Sequence, residues 1–260
     1  MTPTQLADAV LRSVRAAVAD GELPAGTGAG DALLRRPPHG GADWSTGIAL
    51  RLAGPAARPP HTVAEVLRRR LAATPGVAAV TPSGPGFLDI VLAEGAQAAL
   101  LDEILTLPAP AALPEDPARD VRAWRAASDD RPPAGLDLLT QRTENPLFRV
   151  RYAHARARSA VRGGARLGIA PDAAAAEELR HPAERAVLAL LGERHRAGSA
   201  GWLVRLADAH LDATATAAVL PQGPEKPGAV HRARLALAQA AATVLADGLT
   251  RLGIGAPDHL

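Results

Sequence analysis

At about 100° per residue, Arg151, Arg158, Arg162 and Arg166 fall within about 80° of one another on one helical face. A guanidinium pairs bidentately with phosphate oxygens, and four in a row match the spacing of a phosphate backbone. Tyr152 and Ser159 sit beside this stripe. Val150, Ala153, Ala157, Val161 and Ala165 form a second stripe, which the spacing turns toward a core. Gly163-Gly164 is expected to end the helix early, leaving Arg166 as the outermost member. The stripe alone also fits a solvated face whose arginines find carboxylates elsewhere in the fold. His154 lies near the apolar stripe and reads as a hydrogen-bonded core histidine rather than a catalyst or ligand.

Other chemistry is sparse. Cys is absent, which excludes disulfides and thiolate metal sites. No Gly-rich phosphate loop, His-Glu-x-x-His or Gly-x-Ser-x-Gly occurs. Lys226 is the only Lys and sits in the Pro/Gly-rich stretch 221–228. Asp129-Asp130 reads as a solvated turn rather than a metal site. The expectation is a non-enzyme with no cofactor and no metal.

The elements that must position the arginines follow from periodicity. Leu6, Val10, Val14 and Val18 open the chain with a helix. A short helix is expected over 46–53, and another from Thr62, where Thr62 and Glu65 have capping-box spacing. Val77–Val80 and Phe87–Leu92 read as strands, and Ala96–Leu105 as a helix. Pro108, Pro110, Pro114 and Pro117 then mark a semi-rigid linker. Beyond it the pattern is helical, with breaks at Pro171, Pro182, Gly198 and 221–228. A closing helix is expected from about His231 to Leu252, stopping at Gly253. The fold class expected is an α+β domain over 1–105, a Pro-rich linker over 106–118 and an all-α helical bundle over 119–260.

Composition agrees. Hydrophobic residues make up 47% of the 260 but aromatics only 2%, so the cores must be built from Ala, Leu and Val. Formal net charge is +2, yet residues 141–170 hold seven Arg against one Glu, and 96–140 hold four Arg against eight acids. A locally basic segment in a nearly neutral chain suits an anionic partner. The first residues do not form a signal core, and no apolar run reaches the roughly 18 residues of a membrane span. A cytoplasmic protein without membrane contact is expected.

The segment Asn145-Pro146-Leu147-Phe148-Arg149-Val150-Arg151-Tyr152-Ala153-His154-Ala155-Arg156 resembles the opening of the anticodon-binding helical domain of arginyl-tRNA synthetases. The resemblance extends to Leu252-Gly253-Ile254-Gly255-Ala256-Pro257-Asp258-His259-Leu260. Asp120-Val121-Arg122-Ala123-Trp124 looks like that family's Asp-Ala-Leu-Arg-Tyr signature with a residue lost, and Asp137-Leu138-Leu139-Thr140-Gln141 like its stem helix. Upstream, Asp43-Trp44-Ser45-Thr46-Gly47 and Gly84-Pro85-Gly86-Phe87-Leu88-Asp89-Ile90 resemble its N-terminal tRNA-binding domain. In the family a catalytic domain of several hundred residues separates the two parts. Neither a His-x-Gly-His-type motif nor a Lys-rich mobile loop occurs here.

The resemblance implies tRNA as partner and Trp44, Arg149, Arg151, Tyr152, Arg158, Arg162 and Leu260 as RNA-binding residues. Trp44 aligns with a family aromatic that touches the D-loop, and Gly47 with an Asn. Arg149 stands where the family has a Tyr, Arg151 where it has Gln, and Leu260 where it has a Met. The two arginine exchanges replace base-directed groups by phosphate-directed ones. The function expected is a non-catalytic tRNA-binding protein. The alternatives are a protein-interaction or regulatory module, or the tRNA-delivery subunit of a tRNA-dependent enzyme, with a synthetase or such an enzyme as partner.

Overall fold

A computed structural model describes residues 1–28, 30–37, 41–128 and 137–260. The acidic pair Asp129-Asp130 lies outside the described residues. Two compact units divide the chain at Ala96/Gln97.

The first unit begins with α1 (Pro3–Ala19). Thr2 caps it reciprocally with Gln5, and Leu6, Val10, Val14 and Ala17 are buried at helical spacing. Four strands follow in the order β1 (Leu34–Arg35), β2 (Trp44–Thr46), β4 (Phe87–Leu92), β3 (Val77–Ser83), all antiparallel. Trp44 faces Ile90 and Thr46 faces Leu88 in the β2–β4 register. α2 (Ile48–Ala53) and α3 (Pro60–Ala72) pack against each other and against β4 and β3. Gly86, with φ +155°, closes the β3–β4 hairpin, and a Cβ there would meet Pro60 Cβ at 2.7 Å.

Two local readings are corrected. Trp44–Thr46 is a strand, so the helix expected from Thr46 starts only at Ile48. The helix expected from Thr62 starts two residues earlier at Pro60, with Pro59 at the cap. Proline's fixed φ suits the first helical position, and Glu65 pairs with Arg68 instead of capping.

The second unit is helical. α4 (Ala96–Leu105) sends Leu100, Leu101 and Ile104 into the same core as Trp124, Trp202 and Leu245. The compact division therefore falls at the first residue of this helix, whereas the sequence places the boundary near 105. Residues 107–116 carry no regular structure, as their prolines require. α5 (Pro117–Ala127) starts on an Asp116 cap. α6 (Pro146–Arg166), α7 (Pro182–Gly192), α8 (Ala200–Thr216) and α9 (Ala229–Arg251) complete the bundle, with two short 3-10 turns. Gly253, at φ +75°, stops α9 as expected. The break expected at Gly163-Gly164 does not occur: α6 runs through both. Gly164 is buried where α6 meets α9, and a Cβ there would lie 2.6 Å from Leu235. Close helix approach outweighs the helix propensity that glycine lacks.

Candidate nucleic-acid interface

α6 carries the candidate site. Its cap, Asn145, is 1% exposed. The Asn145 side chain accepts from the Phe148 N–H at 3.2 Å and donates to the Leu138 and Thr140 carbonyls at 2.8 Å each. One residue thus starts the helix and anchors the preceding turn. Leu147, Val150, Ala153 and Ala157 point inward. His154 is also buried, and its Nδ1–H donates to the Pro257 carbonyl at 3.0 Å. Burial holds its pKa below the usual histidine value, against a smaller opposing effect of that hydrogen bond. It is the core histidine expected.

Arg151, Arg158 and Arg162 of the stripe, and Arg149 outside it, are engaged by the chain's own oxygens. Arg151 donates to the buried carboxylate of Asp120 and, at 3.1 Å, to the Gly255 carbonyl. Arg149 pairs with Asp208 at 3.0 Å. Arg158 meets both Asp258 carboxylate oxygens, at 3.0 and 3.2 Å. Arg162 donates to the Asp258 carbonyl at 3.2 Å and to His259 Nδ1 at 3.4 Å. Each of these four arginines therefore already faces an oxygen of the chain itself. Arg151 is a structural cation that neutralises Asp120, and Arg158 and Arg162 are held by the last segment of the chain.

A concavity lies further along α6. It encloses about 670 Å³ and is lined by Arg156, Ser159, Arg162, Arg166, Gln222 and His259, among others, with no carboxylate in its lining. Arg162 Nη1 is buried without a hydrogen-bond partner. Tyr152 stacks on Phe148 with ring centres 5.5 Å apart, and the Arg156 guanidinium lies 5.8 Å from the Tyr152 ring. The cationic hollow thus continues into an aromatic stack. Sequence reasoning missed Arg156 because it lies off the stripe on a helical wheel. The Phe148, Tyr152, Arg156 spacing of four was the available signal. Leu260, half exposed, lines a small pocket with Phe148 and Arg151.

The residues of the first unit stand differently. Trp44 is 4% exposed and belongs to that unit's core, with Arg36 6.0 Å from its ring. A ring so buried offers a base little face. At Gly47, a Cβ would meet Phe87 Cε1 at 3.0 Å and Arg35 at 3.4 Å. The place where the resemblance implies an amide is taken by the Phe87 ring, with Arg35 4.6 Å above it.

Together these features define an α+β unit joined to a helical unit that presents a cationic, aromatic helix face. Residues 4–92 match the family model described as Arginyl tRNA synthetase N terminal domain. A relative from Renibacterium salmoninarum (strain ATCC 33209), "Arginine--tRNA ligase", is 48% identical over 110 residues. That match takes in 40% of this chain and 20% of the relative. The first unit is thus similar to the N-terminal domain of arginyl-tRNA synthetases, and the chain spans about a fifth of the length of the relative it matches. No solved structure matches it.

Proposed function

We propose that the chain is a non-catalytic tRNA-binding protein, a synthetase paralogue without the aminoacylation domain. The observation that carries this reading is the succession of parts. The family domain ends at residue 92, and from Gln97 the chain is a helical unit, with no nucleotide-binding sheet among its described residues. The helical unit fits the role of the family's anticodon-binding domain through its 145–156 and 252–260 motifs. Arg156, Arg162 and Arg166 would hold phosphates, and Tyr152 and Leu260 would offer apolar faces to bases. Guanidiniums grip any backbone of the right shape, so affinity should exceed sequence discrimination. No helix of the described residues is long and apolar enough to cross a membrane. A cytoplasmic site fits this role.

The test replaces Arg156, Arg162 and Arg166 together by Gln and titrates tRNA at several salt concentrations. Arg151 is left intact, because its loss would strip Asp120 of a partner and confound folding with binding. Each lost phosphate contact should flatten the slope of log K against log[salt] by roughly 0.7–0.9. Unchanged affinity and slope would discard the RNA face and favour a protein-interaction module. In parallel, ATP–pyrophosphate exchange with arginine and tRNA should stay at background. Activity that follows the protein through re-purification would refute the non-catalytic part.

A further inference from the structure

The last segment of the chain is bound along α6 by groups that an RNA would also use. Over about three turns, Arg151 holds the Gly255 carbonyl, His154 the Pro257 carbonyl, Arg158 the Asp258 carboxylate, and Arg162 the Asp258 carbonyl. The Arg158–Asp258 pair is bidentate, the geometry a guanidinium adopts with phosphate. Its two side chains are 41% and 46% exposed. Arg162 is left half satisfied: one terminal nitrogen has the Asp258 carbonyl, while Nη1 is buried with no hydrogen-bond partner and stands 4.0 Å from the Asp258 carboxylate. The same Arg162 and the adjacent His259 line the hollow that holds no carboxylate.

We propose that Asp258 is a built-in phosphate mimic, and that segment 255–259 is a latch which RNA phosphate displaces from Arg158 and Arg162. This rests on the tRNA-binding reading above. An exposed ion pair biases an equilibrium by no more than about fivefold, so a polyanion can outcompete it. Arg151 and His154 hold the segment's inner part through buried or half-buried bonds, so only the Asp258 end need move. The latch pairs Arg158 and partly occupies Arg162 until a ligand of higher charge density arrives, which raises the threshold for weaker anions.

The test uses full-length protein, Asp258→Asn, Arg158→Gln and the double variant, each titrated with tRNA at several salt concentrations. The Asn variant removes the charge and keeps the shape. It should bind up to about fivefold tighter at low salt. Its salt slope should stay near the parent's, because the same arginines meet phosphate in both complexes. In the double variant the gain from Arg158 should vanish, so the two changes are not additive. Asp258→Asn binding with parental affinity would overturn the latch while leaving the tRNA reading intact. Weaker binding would also overturn it, by showing that Asp258 orients the arginines for RNA. If neither parent nor Asp258→Asn binds tRNA, both proposals fall. Binding by Asp258→Asn alone would support both.

Discussion

His210 is a buried histidine of the helical unit. It lies on α8, 2% exposed, and both ring nitrogens lack a hydrogen-bond partner. Burial, aided by the charge of Arg156, pushes its pKa down to about 4. The ring is therefore neutral in the folded protein at pH 7, while an unfolded histidine titrates near 6.5. Between those values the unfolded chain binds more protons, so stability falls as pH drops from about 6.5 to about 4. The full fall attributable to His210 is of order 3 kcal/mol. His154, also shifted down by burial, pulls in the same direction. Melting temperature should hold steady from pH 8 to 7 and fall across this window. His210→Leu should flatten much of that fall and raise the melting temperature, since each orphaned buried group costs about 1–3 kcal/mol. A variant whose stability declines with acid as steeply as the parent's would place the titration elsewhere.

At the scale of elements, periodicity and punctuation were legible where local forces dominate. The helix over Ala96–Leu105 is observed with those bounds, and the closing helix differs by one or two residues. Errors arose where a distant element decides. Gly163-Gly164 reads as a terminator until α9 is seen pressed against it, and Trp44–Thr46 becomes a strand because β4 pairs with it. The same contact logic separates two glycines of like appearance. A Cβ on Gly248 of α9 would lie 2.4 Å from Leu203 and 2.8 Å from the Ala197 carbonyl, a backbone atom that cannot step aside. On Gly201, exposed at the start of α8, it would meet nothing closer than 4.0 Å. Propensity alone favours alanine at either site by up to about 1 kcal/mol. Gly201→Ala should therefore be neutral or stabilising, and Gly248→Ala should destabilise by about 1–3 kcal/mol through overpacking. Urea unfolding of both variants checks this; equal effects at the two sites would mean that α9 can shift away from α8.

For the molecule as a whole, the helical wheel revealed which arginines share a face but not what they touch. Asp120, Asp208 and Asp258, which pair with Arg151, Arg149 and Arg158, lie 31, 59 and 100 positions away. No local pattern encodes such partners. The fold converts part of an apparently basic surface into internal ion pairs and leaves the carboxylate-free hollow as the stronger candidate. That matters for how a nearly neutral chain could hold a large polyanion. If each unit contributes a modest share, linkage makes the second contact intramolecular, and the joined affinity can exceed either part by about 10²–10⁴. The residues 1–96 and 97–260, made separately along the observed division, should each bind tRNA more weakly than the whole chain at the same salt. Circular dichroism would first establish that each piece keeps its own fold, as their separate cores lead one to expect. The product of avidity should also appear in salt: the slope for the whole chain should approach the sum of the slopes of the pieces, because released counterions add. A whole chain that binds no more tightly than 97–260 alone, with the same slope, would confine the RNA contact to the α6 face and leave the synthetase-type first unit free for another partner.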